Sequence, residues 1–293
     1  MVKLSIIILS YNTKDLILKC IDSIASQYKE QLDKGELEII VVDNASSDAS
    51  ASQISNLKSQ ISNLELIENE ENVGFSKGNN RGAKAASGKY LLFLNSDTEV
   101  LDKNLLGMVG FLEKNEKLGI LGAKLVNQNG KDQKSTGKFY TVFNTLLMLF
   151  GGEKLGLLRA SPSSFKNVDW VSGAALMIRR DLLEKLNGFD EKIFMYMEDM
   201  ELCYRIKENG FLVGFYPKAK ILHKERGSSN REFAIVNIYQ SLLYFSKKHR
   251  NRFDYLMIKK ILALKAIISI FFGILINSRY LKDTYKKALK FCI

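Results

Sequence analysis

Two prolines, three cysteines, two histidines and a single tryptophan in 293 residues leave few of the usual markers of a chemical site. So little proline, with 46% apolar residues, excludes a disordered or low-complexity polymer. Cys20, Cys203 and Cys292 lie far apart and match no zinc or disulfide spacing, which fits a reducing compartment. The opening Met-Val-Lys-Leu-Ser-Ile-Ile-Ile-Leu-Ser lacks the longer apolar core and cleavage site of a secretory signal and reads as a strand. Neither a Walker A loop nor a GxGxxG fingerprint is present. Net charge is also missing from most of the chain. Between Ser246 and Ile293 lie twelve of the 43 Lys and Arg, against two of the 32 Asp and Glu, so this tail carries +10 of the net +11. A near-neutral body with a basic tail is not a nucleic-acid-binding pattern, and no nucleic-acid partner is expected.

What the chain does have is strands that end in polar groups. Leu4–Leu9 stops at Ser10-Tyr11-Asn12, and Glu38–Val42 stops at Asp43-Asn44. Tyr90–Leu94 is an unbroken apolar run, the mark of a strand buried on both faces, and it stops at Asn95-Ser96-Asp97-Thr98. Helices are expected from about Thr13 and over Leu105–Leu112, and strands near Leu64–Glu68 and over Leu118–Leu125. Alternation of this kind specifies a right-handed parallel α/β unit. In such sheets ligands bind beyond the carboxyl ends of the strands where strand order reverses, so Asp97 is placed to meet a metal ion or a phosphate. A turn whose Asn, Ser and Asp only satisfy backbone groups explains the same residues equally well.

Several other features carry paired readings. A duplicated pentad, Gln53–Leu57 and Gln60–Leu64, predicts a polar surface helix running toward the third strand. Gly78, Gly82 and Ala86 form a side-chain-poor column where a helix can approach the sheet or a ligand; Asn79 and Asn80 beside it are poor helix residues unless their amides have partners. The span 128–167 is irregular apart from an apolar patch at Val142–Phe150, as a lid or binding loop would be. Trp170 is expected in the core, ahead of stacking on a sugar. On a helix starting near Met197, Asp199 shares a face with Leu202, Cys203 and Ile206. It is either an acid favoured by the helix dipole or a general base with a pKa raised by burial. Glu201 and Arg205 read as an ordinary surface ion pair. His223 ends a strand before Gly227-Ser-Ser and is either structural or a metal ligand. His249, in Lys-Lys-His-Arg, reads as part of a solvated basic face.

Taken in order, eight segments resemble the family 2 glycosyltransferases of the GT-A fold, in particular bacterial rhamnosyltransferase-like enzymes of cell-surface polysaccharide synthesis. They are Ser5-Ile-Ile-Ile-Leu-Ser-Tyr-Asn12, Val41-Val-Asp-Asn-Ala-Ser-Ser-Asp48, Asn72-Val-Gly-Phe-Ser-Lys-Gly-Asn-Asn80, Leu94-Asn-Ser-Asp97, Ser172-Gly-Ala-Ala175, Gly188-Phe-Asp190, Met195-Tyr-Met-Glu-Asp199 and His223, within Leu4–Ser229. The resemblance implies a mixed, mostly parallel α/β sheet flanked by helices. It implies that Ser10, Tyr11, Asn12 and Asp43 cradle the nucleotide, with Gly74, Phe75 and Asn79 closing over it. Asp97 matches the last Asp of the family's DxD motif, which holds Mg²⁺ or Mn²⁺ on the donor diphosphate. Asn95 replaces the first Asp, which raises the value of His223 as a second metal ligand. Asp199 matches the catalytic base, and Ser172, Gly173, Ala174 and Glu198 fall on the acceptor side. The QxxRW signature of processive synthases is absent, which implies addition of a single sugar. The implied reaction is inverting transfer from a nucleotide-diphosphate sugar, dTDP-rhamnose among the candidates, to a glycan or polyprenyl-diphosphate-linked glycan. Alternatives are a silent nucleotide-sugar-binding module and a sugar nucleotidyltransferase; the latter lacks its Gly- and Arg-rich N-terminal loop here.

The tail forms a second region, 231–293, after a glycosyltransferase domain at 1–230. Ile261–Ile276 is apolar except for Lys265, Ser269 and Gly273, which with Asn277 make one narrow stripe on a helix. Sixteen residues span roughly 24 Å, short of the ~30 Å hydrocarbon core. With basic residues on both flanks, the segment reads as an interfacial helix on an anionic leaflet, ahead of a tilted span or a buried helix. The expected location is the inner face of the cell membrane, and removal of residues 250–293 is expected to release the chain.

Overall fold

In the computed structural model, residues 1–149, 152, 156–224 and 230–293 are described. The Gly227–Ser229 turn, the end of the resemblance at Ser229 and Phe150 of the apolar patch lie outside the described residues. The first half alternates as expected: β1 (Leu4–Ser10), α1 (Lys14–Asp33), β2 (Leu37–Asp43), α2 (Ser50–Leu57), β3 (Leu64–Glu68), α3 (Gly74–Ala85), β4 (Tyr90–Asn95), β5 (Thr98–Val100), α4 (Leu105–Lys114) and β6 (Leu118–Val126). Then come β7 (Thr136–Gly137), α5 (Val142–Leu149), β8 (Arg159–Ala160), β9 (Lys166–Val168), β10 (Trp170–Val171), β11 (Ala175–Arg179), α6 (Arg180–Lys185), α7 (Glu198–Glu208) and β12 (Leu212–His223). Three helices finish the chain, α8 (Arg231–His249), α9 (Arg252–Leu275) and α10 (Arg279–Leu289).

The main sheet runs β3-β2-β1-β4-β11-β6-β12-β5, with β9 on β12; β10, β7 and β8 form a small second sheet. Strands β3, β2, β1 and β4 are mutually parallel, and β11 is antiparallel to both β4 and β6. Order reverses between β1 and β4, so Ser10 and Asn95 end side by side at the switch point. The strands are apolar throughout because both faces are covered. Ile6, Ile8, Leu92 and Leu94 pack with α1 and α4, whereas Ile7, Leu91 and Phe93 join the opposite core of α6–α10. Alternate residues thus serve two cores. Pro217 sits where the register of β12 against β6 shifts, the place where a missing N–H does no harm.

The duplicated pentad does not form one helix. Its first copy ends α2, and its second is a turn that delivers Leu64 into β3 beside Ile39. Asn63, at φ +55°, donates its amide to the Leu32 carbonyl and ends any helical continuation. The glycine column faces the sheet: a Cβ on Gly78 would strike Leu9, and one on Gly82 would come within 2.5 Å of Ile7 Cγ2.

Residues after 230 share their core with the rest of the chain. Tyr239, Leu242, Ile258, Leu262 and Ala266 lie in one buried cluster with Phe189, Leu202 and Cys203. Glu201, fully buried, receives Arg205 at 2.8 Å, Lys248 at 2.7 Å and His249 at 3.0 Å. Burial alone would push this carboxyl up, but His249, Arg205 and Lys248 outweigh it and hold the pKa below the ordinary value. Glu201–Arg205 is therefore a buried junction between α7 and α8, not a surface pair. His249 is not part of a solvated face either, because its ring packs on Tyr204 and Phe245.

On α9 the polar stripe turns inward. Ser269 bonds back to the Lys265 carbonyl, Gly273 lets α10 approach at Leu281 and Lys282, and Asn277 at φ +50° turns the chain into α10. Outward face Leu264, Ile267, Ile268, Phe271 and Phe272, from 38% to 58% exposed. Among the described residues no helix is long and apolar enough to cross a membrane.

Candidate active site

The switch point opens into a cavity of about 740 Å³. Of the residues singled out in the sequence, it is lined by Phe75, Asn95, Asp97, Trp170, Ser172, Gly173, Ala174, Glu198, Asp199 and His223, with Lys265 of the α9 stripe. Four walls meet there: the end of β4, the 172–174 turn, the first turn of α7, and the C-terminal helices. Hydrogen bonds tie the first three into one chain. Asn95 N–H donates to the Ala174 carbonyl at 3.1 Å, and Gly173 N–H donates to Asp199 Oδ2 at 2.9 Å.

Asp199 stands in the first turn of α7, where Tyr196 and Met197, both in the left-handed region at φ +68° and +71°, swing the chain into the helix. Met200 N–H donates to its Oδ1 at 2.7 Å. Burial raises its pKa, against the opposing pull of these two backbone donors and of the Arg159 guanidinium. Glu198, 5% exposed, is pushed well above the ordinary range by burial and by the charge of Asp199. Its Oε2 is buried and has no hydrogen-bond partner among the described residues.

Opposite them, Asp97 is buried, and its Oδ1 lies 3.5 Å from His223 Nε2. Gln133 fixes the imidazole. Its Nε2 donates to the His223 carbonyl and its Oε1 meets Nδ1, both at 2.8 Å. With the amide oriented in this way, Nδ1 donates to Gln133 and Nε2 is directed at Asp97, as the two nitrogens of a metal-binding His are divided between a supporting partner and the ion. Two donors 3.5 Å apart are at the spacing that one ion with bonds of roughly 2.1 Å spans. A carboxylate oxygen and an imidazole nitrogen therefore fit a divalent ion of the Mn²⁺ or Mg²⁺ type, the nitrogen favouring Mn²⁺. Among the described residues no group of three or more His, Cys, Asp or Glu is placed to hold a metal, so the pair needs oxygens from a ligand.

Ser10, Tyr11, Asn12, Asp43, Gly74 and Asn79 are not among the residues that line this cavity. Ser10 is fully buried, and its hydroxyl contacts Thr13, which donates on to Ser96 at 3.1 Å, linking the ends of β1 and β4. Asp43 accepts from the Ser46 amide and hydroxyl, and Asn12 bridges to Ser46 and Ser47. Tyr11 is exposed. Gly74, at φ +84°, lets the start of α3 meet Phe194, where a Cβ would lie 2.7 Å from its carbonyl oxygen. Asn79 bonds within its own helix to the Phe75 carbonyl, and Asn80 holds the backbone of Phe189. Trp170 is in the core, donating to the Lys138 carbonyl, with Arg159 over its ring at 5.2 Å. The three cysteines are buried and free, and burial pushes the Cys20 thiol up to about 12, so it is inert.

Gln133, Arg159, Tyr239 and Lys265 also belong to this site or its support and were not singled out as site residues. The first two lie in the aperiodic span 128–167, where no pattern marks them. Lys265 is visible as a break in an apolar run but carries no sign of facing inward.

Comparison with known proteins identifies the family and the fold. Residues 5–186 match the family Glycosyl transferase family 2. The rhamnosyltransferase WbbL of Escherichia coli (strain K12) is 26% identical over 272 residues, covering 88% of this chain and 94% of that protein. An N-acetylglucosaminyl-diphospho-decaprenol L-rhamnosyltransferase of Mycobacterium tuberculosis (strain CDC 1551 / Oshkosh) is 40% identical over 74 residues, 25% of this chain and 24% of that one. Among its curated relatives the chain spans from 18% to 94% of their lengths. The mannosyltransferase PcManGT from Pyrobaculum calidifontis, solved with GDP-Man and Mn²⁺, superposes with a TM-score of 0.59 at 17% identity, over 99% of this chain and 85% of that one; the likeness shows a shared GT-A fold. This chain carries a glycosyltransferase domain and belongs to glycosyl transferase family 2.

Proposed function

We infer that the chain transfers a single sugar, with inversion, from a nucleotide-diphosphate sugar to a lipid-linked glycan in cell-surface polysaccharide synthesis. The observation that carries this reading is the placement of Asp199. It is an acid held by two backbone N–H groups, raised by burial, in the same cavity as the Asp97–His223 pair. A carboxylate so placed takes the proton from an acceptor hydroxyl as that oxygen bonds to the anomeric carbon. The bond from that carbon to the donor's phosphate oxygen breaks, and the nucleoside diphosphate leaves with the electron pair. A single displacement inverts the centre.

Asp97 and His223 would hold Mn²⁺ or Mg²⁺, whose charge stabilises the departing diphosphate. Gln133 keeps the His223 nitrogen directed at that place. The loops after β1 and β2, braced by Asn12, Asp43 and Ser46, form the nucleotide end of the site. A rhamnosyl donor and a polyprenyl-diphosphate-linked acceptor follow the names of the two relatives. The outer face of α9, apolar and flanked by basic residues, would lie on an anionic leaflet.

The test is a transfer assay with purified chain and a set of nucleotide sugars. Asp199→Asn is expected to bind donor normally while transfer falls ~10²–10⁴-fold, the usual contribution of a general base; normal turnover would remove Asp199 from the role. EDTA is expected to abolish transfer and Mn²⁺ to restore it. Release of nucleoside diphosphate, and not inorganic pyrophosphate, separates this reaction from nucleotidyl transfer.

A further inference from the structure

The wall built by α8, α9 and α10 differs chemically from the walls that hold Asp97 and Asp199. It brings Arg231 from the first turn of α8, Tyr239 from two turns further along, and Lys265 from the middle of α9. Tyr239 is 3% exposed and lines the cavity, yet its hydroxyl has no hydrogen-bond partner among the described residues. Burial pushes this phenol far up, so it remains an O–H donor at any physiological pH. Native folds rarely leave such a group unsatisfied without a use for it. Lys265 interrupts the apolar run of α9, stands on its inward stripe and lines the same cavity. A guanidinium, an ammonium and a phenol offer donors and positive charge, a combination that selects an oxyanion.

We propose that this wall is an oxyanion subsite on the acceptor side, in which Arg231, Tyr239 and Lys265 receive the phosphate or diphosphate of a lipid-borne acceptor. The proposal rests on the glycosyl-transfer reading and adds to it the groups that hold the acceptor's head. It also explains the two-sidedness of α9. Lys265 faces the cavity, while neighbouring Leu264, Ile267 and Ile268 face outward. A lipid with an anionic head and an apolar chain matches both sides of that helix; a free anion matches only one. The donor's diphosphate is assigned to the Asp97–His223 end, so the two anions occupy separate walls and need not compete.

Binding of farnesyl diphosphate, a sugar-free lipid diphosphate, to the full chain tests this by calorimetry. Titrations are run in an Asp97→Asn background, which suppresses diphosphate capture at the donor end, with farnesol and inorganic pyrophosphate as parallel probes. Lys265→Gln and Tyr239→Phe are each expected to weaken farnesyl diphosphate about tenfold or more, the scale of a hydrogen bond to a charged group, and to leave farnesol unchanged. Lys265→Arg keeps the charge and is expected to retain binding. Tyr239→Phe removes only the hydroxyl and Lys265→Gln keeps a polar side chain of lesser length, and an unchanged melting curve shows that they fold. Farnesyl diphosphate binding that ignores both substitutions overturns the subsite. Equal affinity for inorganic pyrophosphate and farnesyl diphosphate overturns the lipid source in favour of a free anion. Nucleotide-sugar binding and hydrolysis are measured separately on the unaltered chain. Their absence would strike the glycosyl-transfer reading, whereas their presence beside Lys265-insensitive lipid binding strikes only this inference.

Discussion

Glu198 and Asp199 are adjacent carboxyls in unequal surroundings. Asp199 accepts from two backbone amides, while Glu198 leaves Oε2 buried and unpartnered. Burial and the neighbouring charge therefore keep Glu198 protonated above the ordinary value of 4.5. The sign for stability follows from the proton count. Above pH 4.5 the unfolded chain releases this proton and the native chain retains it, so the native state binds more protons and stability falls as pH rises. Glu198→Gln removes that linkage. Its unfolding free energy is expected to match the parent near pH 4 and to exceed it increasingly at higher pH, by up to about 1.4 kcal/mol per pH unit, with the melting temperature following in the same direction. Parallel pH dependences of the two melting curves would contradict this. Asp97 and Asp199 were legible in the sequence because each interrupts an apolar pattern, one at a strand end and one on a helix face. Gln133 and Tyr239 were not: Gln133 lies in an aperiodic loop, and Tyr239 fits an ordinary apolar face. Only the tertiary fold gives either its neighbours. Glu201 and His249 were misread for the same reason, since a charged helix face looks solvated until another helix is seen to cover it.

Secondary elements with long apolar runs were the readable part of the fold. β1, β2, β4 and β6 are buried on both faces and announce themselves by composition. The strands β7, β8 and β10 are only two residues long and have no period to detect. The pentad repeat failed as a guide because pairing of Leu64 beside β2 overrides local helix preference. Two glycines within helices make the role of packing measurable. Gly82→Ala would place a methyl 2.5 Å from Ile7 Cγ2, which is fully buried in the sheet, whereas nothing lies within 4 Å of a Cβ on Gly110 in α4. Alanine returns up to ~1 kcal/mol of helix propensity at either place. At Gly110 that gain stands alone, and Gly110→Ala is expected to raise the unfolding free energy by about 0.5–1 kcal/mol. At Gly82 overpacking of about 1–3 kcal/mol opposes it, so the net effect is destabilising. Urea unfolding of both variants checks the signs; stabilisation at both positions would mean that α3 moves off the sheet at little cost.

At the scale of the whole molecule, the C-terminal helices are at once core and surface. Deleting residues 250–293 is not a clean test of membrane binding, because it would strip Ile258, Leu262 and Ala266 from the core they share with α7. Misfolding would then obscure the result. The outer face of α9 can be altered alone. Ile267, Phe271 and Phe272 are 53%, 58% and 54% exposed, so replacing them with serine spares the fully buried residues and costs only the part of each side chain that protein covers. Full burial of such a side chain is worth roughly 1.5–3 kcal/mol. Since about half of each is already covered by protein, the three together contribute on the order of 3 kcal/mol to partitioning, or ~100-fold. The exposed Lys286 and Lys290 on α10 and its flank add an attraction to anionic lipid of about 1 kcal/mol each, which salt weakens. The parent chain is therefore expected to float with vesicles containing phosphatidylglycerol, and less with purely zwitterionic ones. The triple serine variant is expected to stay at the bottom of the gradient while still melting in one cooperative transition and hydrolysing its nucleotide sugar in solution. If that variant floated as well as the parent, α9 would not be the membrane face. Lys265 would then still open into the active-site cavity, but the acceptor would have to reach it by another side.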